Sequence, residues 1–143
     1  MIRQAIAKDL DAIVKLEMDT FDDAYTSQTI QNDINSNKLK VLVADNKIIG
    51  YITIGKVLDE AEIERIAIIK ELRKMGYATN LLNETINELI GSGIKKVYLE
   101  VRSDNLAAIK LYLKCGFQNI STRKKYYKDG CDAIVMANYL EVQ

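Results

Sequence analysis

The sequence predicts an α/β fold in which a mixed central sheet is flanked by helices. Three observations carry that expectation. The middle of the chain alternates strand-like and helix-like segments, which asks for parallel pairing between the strands. Two turn signals, Asp45-Asn46-Lys47 and Asp129-Gly130, stand between apolar runs and ask for antiparallel hairpins. The chain has 143 residues, 48% of them apolar, which suits one compact domain over residues 1–143 with a substantial core.

The elements follow in order. Ile2 to Ala5 is a short strand. Lys8 to Phe21 is a helix, with Leu10, Ile13, Val14 and Glu17 on helical spacing. Ser27 to Asn35 is a second, more polar helix. Leu39 to Ala44 and Ile48 to Gly55 are the two strands of the first hairpin, and Glu62 to Ile69 is an isoleucine-rich strand. The clearest helix follows: Ala78, Leu81, Leu82, Ile86, Leu89 and Ile90 share one face, and Gly91 and Gly93 can end it. Val97 to Val101 is a strand, and Asn105 to Lys114 a helix with Ala108, Leu111, Tyr112 and Cys115 on one stripe. Strands at about Gln118 to Tyr127 and Asp132 to Leu140 close the chain. Proline is absent, so glycine and Asn/Asp clusters carry the punctuation. No linker, low-complexity segment or internal repeat interrupts this order.

Composition removes several functions. Lys plus Arg and Asp plus Glu number 20 each, so the basic excess of a dedicated nucleic-acid binder is missing. The run Arg123 to Lys128 mixes bases with aromatics, yet zero net charge and its strand context argue against RNA. No apolar run is long enough to span a bilayer, and the start lacks the pattern of a signal peptide, so a cytoplasmic location is expected. There is no histidine, which removes the commonest general base, the Ser-His-Asp triad and most zinc chemistry. No metal site is expected. Acid–base work falls to Glu, Asp, Tyr, Lys or Cys. Two cysteines, Cys115 and Cys131, make neither a disulfide framework nor a zinc site. Cys115 could carry an acyl group, but a cysteine on a helix stripe before a glycine is expected to be buried.

Arg73-Lys74-Met75-Gly76-Tyr77-Ala78 follows a strand and opens the strongest helix. The first N–H groups of a helix lack internal partners, and the helix dipole adds positive charge there. Gly76 and Ala78 let a phosphate come close to the backbone, and Lys70, Arg73 and Lys74 add cations. The segment is neither a P-loop nor a dinucleotide fingerprint, so on its own it reads first as an ordinary charged helix entrance.

In context the motif is more specific. Ile66-Ala67-Ile68 followed by Arg73-x-x-Gly76-x-Ala78 resembles the cofactor motif of the GNAT superfamily of acetyltransferases. Leu99-Glu100-Val101-Arg102, Asn105-x-Ala107-Ala108-Ile109-x-Leu111-Tyr112 and Gly116-Phe117 resemble the protein N-terminal acetyltransferases, and within these the RimI type, which acetylates the N-terminal alanine of a ribosomal protein. Arg123-Lys124-Lys125-Tyr126-Tyr127 and Asp132-Ala133 are similar to the same group's terminal hairpin. The resemblance spans about Ala61 to Leu140, with four motifs in order. Lys70 stands where proline is common, Met75 where a base is common, and Cys131 where an acid is common.

The resemblance implies a GNAT domain with acetyl-coenzyme A as co-substrate and a protein N-terminus, a ribosomal protein among the candidates, as acceptor. It implies no nucleic-acid or membrane partner. Ile66, Ala67 and Ile68 would meet the pantetheine arm. Arg73 and the loop Lys74, Met75, Gly76, Tyr77, Ala78 and Thr79 would hold the pyrophosphate, and Asn105 would also touch the cofactor. Glu100 would be the general base and Tyr112 the general acid. Alternation sets Glu100 on the face opposite Leu99 and Val101, as a lone carboxylate whose partial burial would favour the base role. Glu62 and Glu64 are rival bases. Tyr126 and Tyr127 would grip the acceptor's backbone, and Phe21 and Tyr25 would line its entrance. Two other readings stay open: a GNAT enzyme acting on a small amine or lysine side chain, and a non-catalytic acyl-coenzyme A binding module.

Overall fold

The computed structural model describes residues 1–140, so the expected domain limit at residue 143 lies outside the described residues. The strands are β1 (Ile2–Gln4), β2 (Leu39–Ala44), β3 (Lys47–Val57), β4 (Glu60–Ile68), β5 (Lys96–Arg102), β6 (Gln118–Arg123) and β7 (Ala133–Tyr139). The helices are α1 (Leu10–Thr20), α2 (Ser27–Asn35), α3 (Tyr77–Gly91) and α4 (Leu106–Lys114). Hydrogen bonding links the strands in the order β1-β2-β3-β4-β5-β7-β6. The β4–β5 pair is parallel, and β1–β2, β2–β3, β5–β7 and β6–β7 are antiparallel. The expected mixed α/β sheet is therefore present. The chain falls into two compact units.

The first unit holds residues 1–55 and 65–81. Its hairpin closes through Asp45 and Asn46, both at positive φ (51° and 62°), with Ala44 opposite Lys47. That is the two-residue turn whose twist matches the strands, and Asp and Asn tolerate it best after glycine. Its core joins Ile13 and Leu16 of α1, Ile30 and Ile34 of α2, Leu39 and Val41 of β2, and Tyr51 of β3. Gly50 is needed where β3 meets the end of β4: a Cβ there would lie 2.8 Å from the Ala67 carbonyl oxygen and 2.6 Å from Ile68 Cδ1. α2 starts on Thr26, whose Oγ1 accepts from Thr29 N–H at 3.2 Å. The first helix is shorter than the sequence suggests. Ala7–Asp9 forms a 3-10 turn, and Phe21 is already extended at φ −120° and ψ 134°. Arg3 explains the irregular entry, because its guanidinium forks onto Asp9 at 2.7 and 2.9 Å while Ile6 N–H donates to the same carboxylate.

The second unit holds residues 56–64 and 82–143, described to residue 140. The odd-numbered side chains of β5, Val97, Leu99 and Val101, are buried, as are Leu82, Ile86 and Leu89 of α3, Phe117 and Met136. The even-numbered Tyr98, Glu100 and Arg102 occupy the opposite face, as alternation requires. One strand differs from expectation. β6 stops at Arg123, so Tyr126 and Tyr127 lie in the connection to β7 rather than in a strand. Lys125 takes φ 51° and gives its N–H to Asp132 Oδ1 at 2.8 Å, which breaks the ladder. A tight turn follows, with Gly130 N–H donating to Tyr127 O and Tyr127 N–H to Cys131 O. Among the described residues no helix is long and apolar enough to cross a membrane.

Candidate active site

The phosphate-loop candidate lies in the first unit. β4 ends with Ala67 and Ile68 buried and Ile66 half-buried, and Ile69 N–H donates to Ile49 O at 2.8 Å. The chain then makes a short 3-10 turn at Lys70–Leu72, and Arg73 is extended. Lys74 and Gly76 both have positive φ, 64° and 88°. The first helical bond of α3 runs from Asn80 N–H to Gly76 O at 3.0 Å, so the N–H groups of Tyr77, Ala78 and Thr79 precede it and have no partner within the helix. Lys74, Met75 and Gly76 are exposed. A turn with two left-handed residues running into a helix N-terminus presents several backbone donors and the positive end of the dipole to one anion. Arg73 is exposed and also braces the loop. Its Nε donates back to Ile68 O at 3.0 Å and its Nη2 to Thr20 Oγ1 at 3.4 Å, so the side chain braces the loop against β4 and α1.

Phe21 and Tyr25 lie in the same unit, around residues that sequence reasoning did not single out. The Arg65 guanidinium sits between the two rings, 4.0 Å from the Phe21 centroid and 4.1 Å from that of Tyr25. Its Nη2 donates to Glu17 Oε2 at 2.9 Å, to Asp23 O at 2.9 Å and to Asp23 Oδ1 at 3.2 Å. Glu17, 1% exposed, also accepts from Tyr25 N–H at 3.0 Å and from the Tyr51 hydroxyl. Burial and that hydrogen bond push the Tyr51 hydroxyl well above its ordinary range. Burial works against the charge of Arg65, but Glu17 leads the neighbours that restore it, and the group ends above its ordinary value. The available signal was Glu17 itself, a carboxylate on the apolar stripe of a helix, which demands a buried partner.

In the second unit β5 aligns the chemistry. Glu60, Glu62 and Glu64 of β4 share alternation with Tyr98 and Glu100, and Glu62 pairs with Tyr98 in register. Burial, then Glu62, Glu60, Glu100 and Glu64 in turn, raise the Tyr98 hydroxyl. Glu100 is half-buried, but it is not the lone carboxylate expected, because Arg123 Nη1 donates to its Oε2 at 3.3 Å. The reason is the cross-sheet register. Glu100 pairs with Val135 and Arg123 with Ala133, which puts both on one face. Arg123 also stands over the Tyr126 ring at 5.1 Å. Tyr126 meets Tyr127 edge to face at 5.2 Å, and Arg102 stands 4.9 Å over Tyr127 while contacting Asp104 and Asp129.

Tyr112 is buried on α4, with its ring edge-on to Phe117 at 5.9 Å. Burial, with smaller contributions from Cys115 and Tyr127, pushes its hydroxyl up to about 12. It therefore keeps its proton throughout the neutral range. Asn105 is the N-cap of α4 rather than its first helical residue, and its Oδ1 accepts from Ala108 N–H at 3.2 Å. Cys115 caps the other end and is partly exposed, not buried as expected, because the helix stops on it and its carbonyl turns to accept from Asn138 Nδ2. Burial still pushes its thiol up. Cys131 is a free thiol in contact with Ser103 Oγ at 3.4 Å.

A mixed seven-stranded sheet flanked by helices in this order is the fold of the acyl-coenzyme A-dependent N-acyltransferases. The chain belongs to the acetyltransferase (GNAT) family, whose model matches residues 10–117. It is 34% identical to a ribosomal protein bS18-alanine N-acetyltransferase from Haemophilus ducreyi, over 98% of this chain and 100% of that protein. It is 30% identical to an N-alpha-acetyltransferase from Saccharolobus solfataricus, over 97% of this chain and 92% of the relative. The crystal structure of the ribosomal-protein-S18-alanine N-acetyltransferase from Escherichia coli superposes with a TM-score of 0.92 at 30% identity, covering 100% of this chain and 95% of that one. The chain is thus an enzyme that uses acetyl-coenzyme A as co-substrate.

Proposed function

We infer that this enzyme transfers acetyl from acetyl-coenzyme A to the N-terminal α-amine of a protein, by direct attack, with residues 1–143 acting as one catalytic domain. The observation that carries the reading is full-length similarity to N-terminal acetyltransferases. The relatives named for bS18 favour a ribosomal protein as acceptor, which would place the work in the cytoplasm.

The residues fit the co-substrate. The backbone donors from Lys74 to Thr79, with Arg73, suit a pyrophosphate, and Arg73 Nε also holds the loop in shape. The strand edge at Ile66, Ala67 and Ile68 suits the amide-bearing pantetheine arm. Asn105 stands near it in this reading, its Oδ1 already engaged as a cap. The bound thioester supplies an activated acetyl carbon. An N-terminal amine has a pKa of about 7.7–8.0, so a modest base frees its lone pair. Glu100 takes the ammonium proton, the amine nitrogen bonds to the acetyl carbon, the carbon–sulfur bond breaks, and the second N–H proton leaves to solvent, from which Tyr112 is reprotonated after the transfer. Tyr112, protonated at neutral pH, donates its O–H to the departing thiolate. Tyr126 and Tyr127 grip the acceptor's backbone, and Phe21 and Tyr25 line its entrance.

Two measurements test this. Peptides with free and blocked α-amines, scored by mass spectrometry, should show acetyl only on the free N-terminus. Acetylation of polyamines or lysine side chains at equal rates would overturn the acceptor assignment. Glu100→Gln and Tyr112→Phe should each lower kcat by roughly 10²–10⁴-fold with acetyl-coenzyme A affinity unchanged. Full activity in both variants, with loss in Glu62→Gln or Glu64→Gln, would move the base to β4.

A further inference from the structure

We propose that Arg65 is a positioning residue for the acceptor peptide. In this proposal one guanidinium fixes the α1–α2 connection, and with it the Phe21 and Tyr25 rings, in the conformation that receives the chain end. The proposal rests on the reading of Phe21 and Tyr25 as acceptor-lining residues.

The geometry shows how much of that connection depends on Arg65. Between Phe21 and Tyr25 the chain is neither helix nor strand, and Asp22 and Asp23 are exposed. Arg65 comes from β4, well separated in sequence, and fills the space between the two rings at 4.0 and 4.1 Å. The same side chain ties the backbone of the connection at Asp23 O and its base at Glu17. Glu17 then holds the far end through Tyr25 N–H. Both rings and both ends of the connection are thus referred to one planar cation. Only a flat, forked cation can stack between two rings while donating in its plane to a carboxylate and a carbonyl. Lysine keeps the charge and loses both geometries. Arg65 Nε is buried without a hydrogen-bond partner, so the side chain is held by the rings and by Nη2 rather than by a full set of bonds.

The test compares Arg65→Lys with the double variant Glu17→Gln/Arg65→Met. The double variant removes both buried charges together, so no carboxylate is stranded and the fold survives. Steady-state kinetics with a free-N-terminus peptide should show KM for the peptide raised by about tenfold or more, the scale of one lost charge-assisted contact. kcat should stay within about twofold of the wild type on that scale, and acetyl-coenzyme A affinity should not change. A merely stabilising role would lower the active fraction, and so kcat, without moving KM. Phe21→Leu and Tyr25→Leu provide the reference. If they raise the peptide KM and neither Arg65 variant does, Arg65 is structural only and the proposal falls while the acceptor reading stands. If none of the four changes the peptide KM, the acceptor reading of this connection fails and takes the proposal with it.

Discussion

Arg65 and Arg102 have nearly the same chemistry in two different settings. Each stacks on a tyrosine ring and each contacts two acids. The Arg65 side chain is 12% exposed and its main partner Glu17 is 1% exposed; the Arg102 side chain is 35% exposed and its partners Asp104 and Asp129 are 62% and 59% exposed. Arg102 draws the carboxyls of Asp104 and Asp129 below their usual range, mainly through its hydrogen bonds, yet water can replace each contact it makes. For Glu17, Arg65 supplies the positive charge beside two neutral donors, Tyr25 N–H and the Tyr51 hydroxyl, out of reach of bulk water. Burial, rather than the number of partners, turns an ion pair from a surface ornament into a fixed point of the fold.

The largest expected effect breaks the buried member. Arg65→Met alone strands the Glu17 carboxylate and should cost about 3–5 kcal/mol in urea unfolding. The same Arg65→Met combined with Glu17→Gln should recover most of that loss. A small cost for the single variant would show that water reaches Glu17 and that the contrast with Arg102 is false.

The contrast has a titration form. Tyr112 is buried and held at about 12, whereas an unfolded tyrosine titrates near 10.0. The folded state therefore keeps its proton longer, and stability present below pH 10 is lost as pH rises through the folded value. For Tyr112 that loss amounts to about 3 kcal/mol between pH 10 and 12. Tyr51 adds to the alkaline loss in the wild type. The test is therefore the difference between wild type and Tyr112→Phe in denaturant midpoints over that range, with the variant falling less steeply.

Exposure discounts charges but not backbone geometry. Gly76 is exposed, and a Cβ at this position would have nothing within 4 Å, so Gly76→Ala meets no neighbour; its φ of 88° still disfavours a side chain. About 1 kcal/mol of conformational strain, already present in the unliganded fold, should emerge as an equal loss of stability in urea unfolding. The smallest effect belongs to the exposed cluster. Asp129→Asn should leave thermal unfolding unmoved at physiological salt, because Arg102 keeps Asp104 and solvent.

The order of strands and helices was legible because each element announces itself locally. The run Leu39 to Ala44, the Asp45-Asn46 turn and the amphipathic stripe of α3 need no knowledge of distant residues. The glycine turn into α3 was legible for the same reason, since Gly76 and the helix behind it are adjacent in sequence. Arg65 was not, because its meaning depends on Glu17, Phe21 and Tyr25, which only folding brings to it. The extent of β6 was misread because Tyr126 and Tyr127 have high strand propensity, while Lys125, at positive φ, decides the local path. Glu100 looked solitary because its partner, Arg123, arrives across two strand pairings. The roles proposed for Glu100 and Tyr112 rest on their place in a motif, with strand alternation as the local signal for Glu100.

The ladder between β6 and β7 skips a residue: Asn119 opposes Met136 and Ser121 opposes Val135, leaving Ile120 as an extra. A strand has two sides, so one surplus residue reverses the parity of everything after it. Counting straight from Gln118 would send Arg123 to the face opposite Glu100; the surplus at Ile120 brings it back. Whether this carboxylate has a cationic neighbour is thus a matter of arithmetic as much as of chemistry. In β6 the length of the chain is itself information, and a shift of one position would rewrite the surroundings of Glu100 without changing a single charged residue.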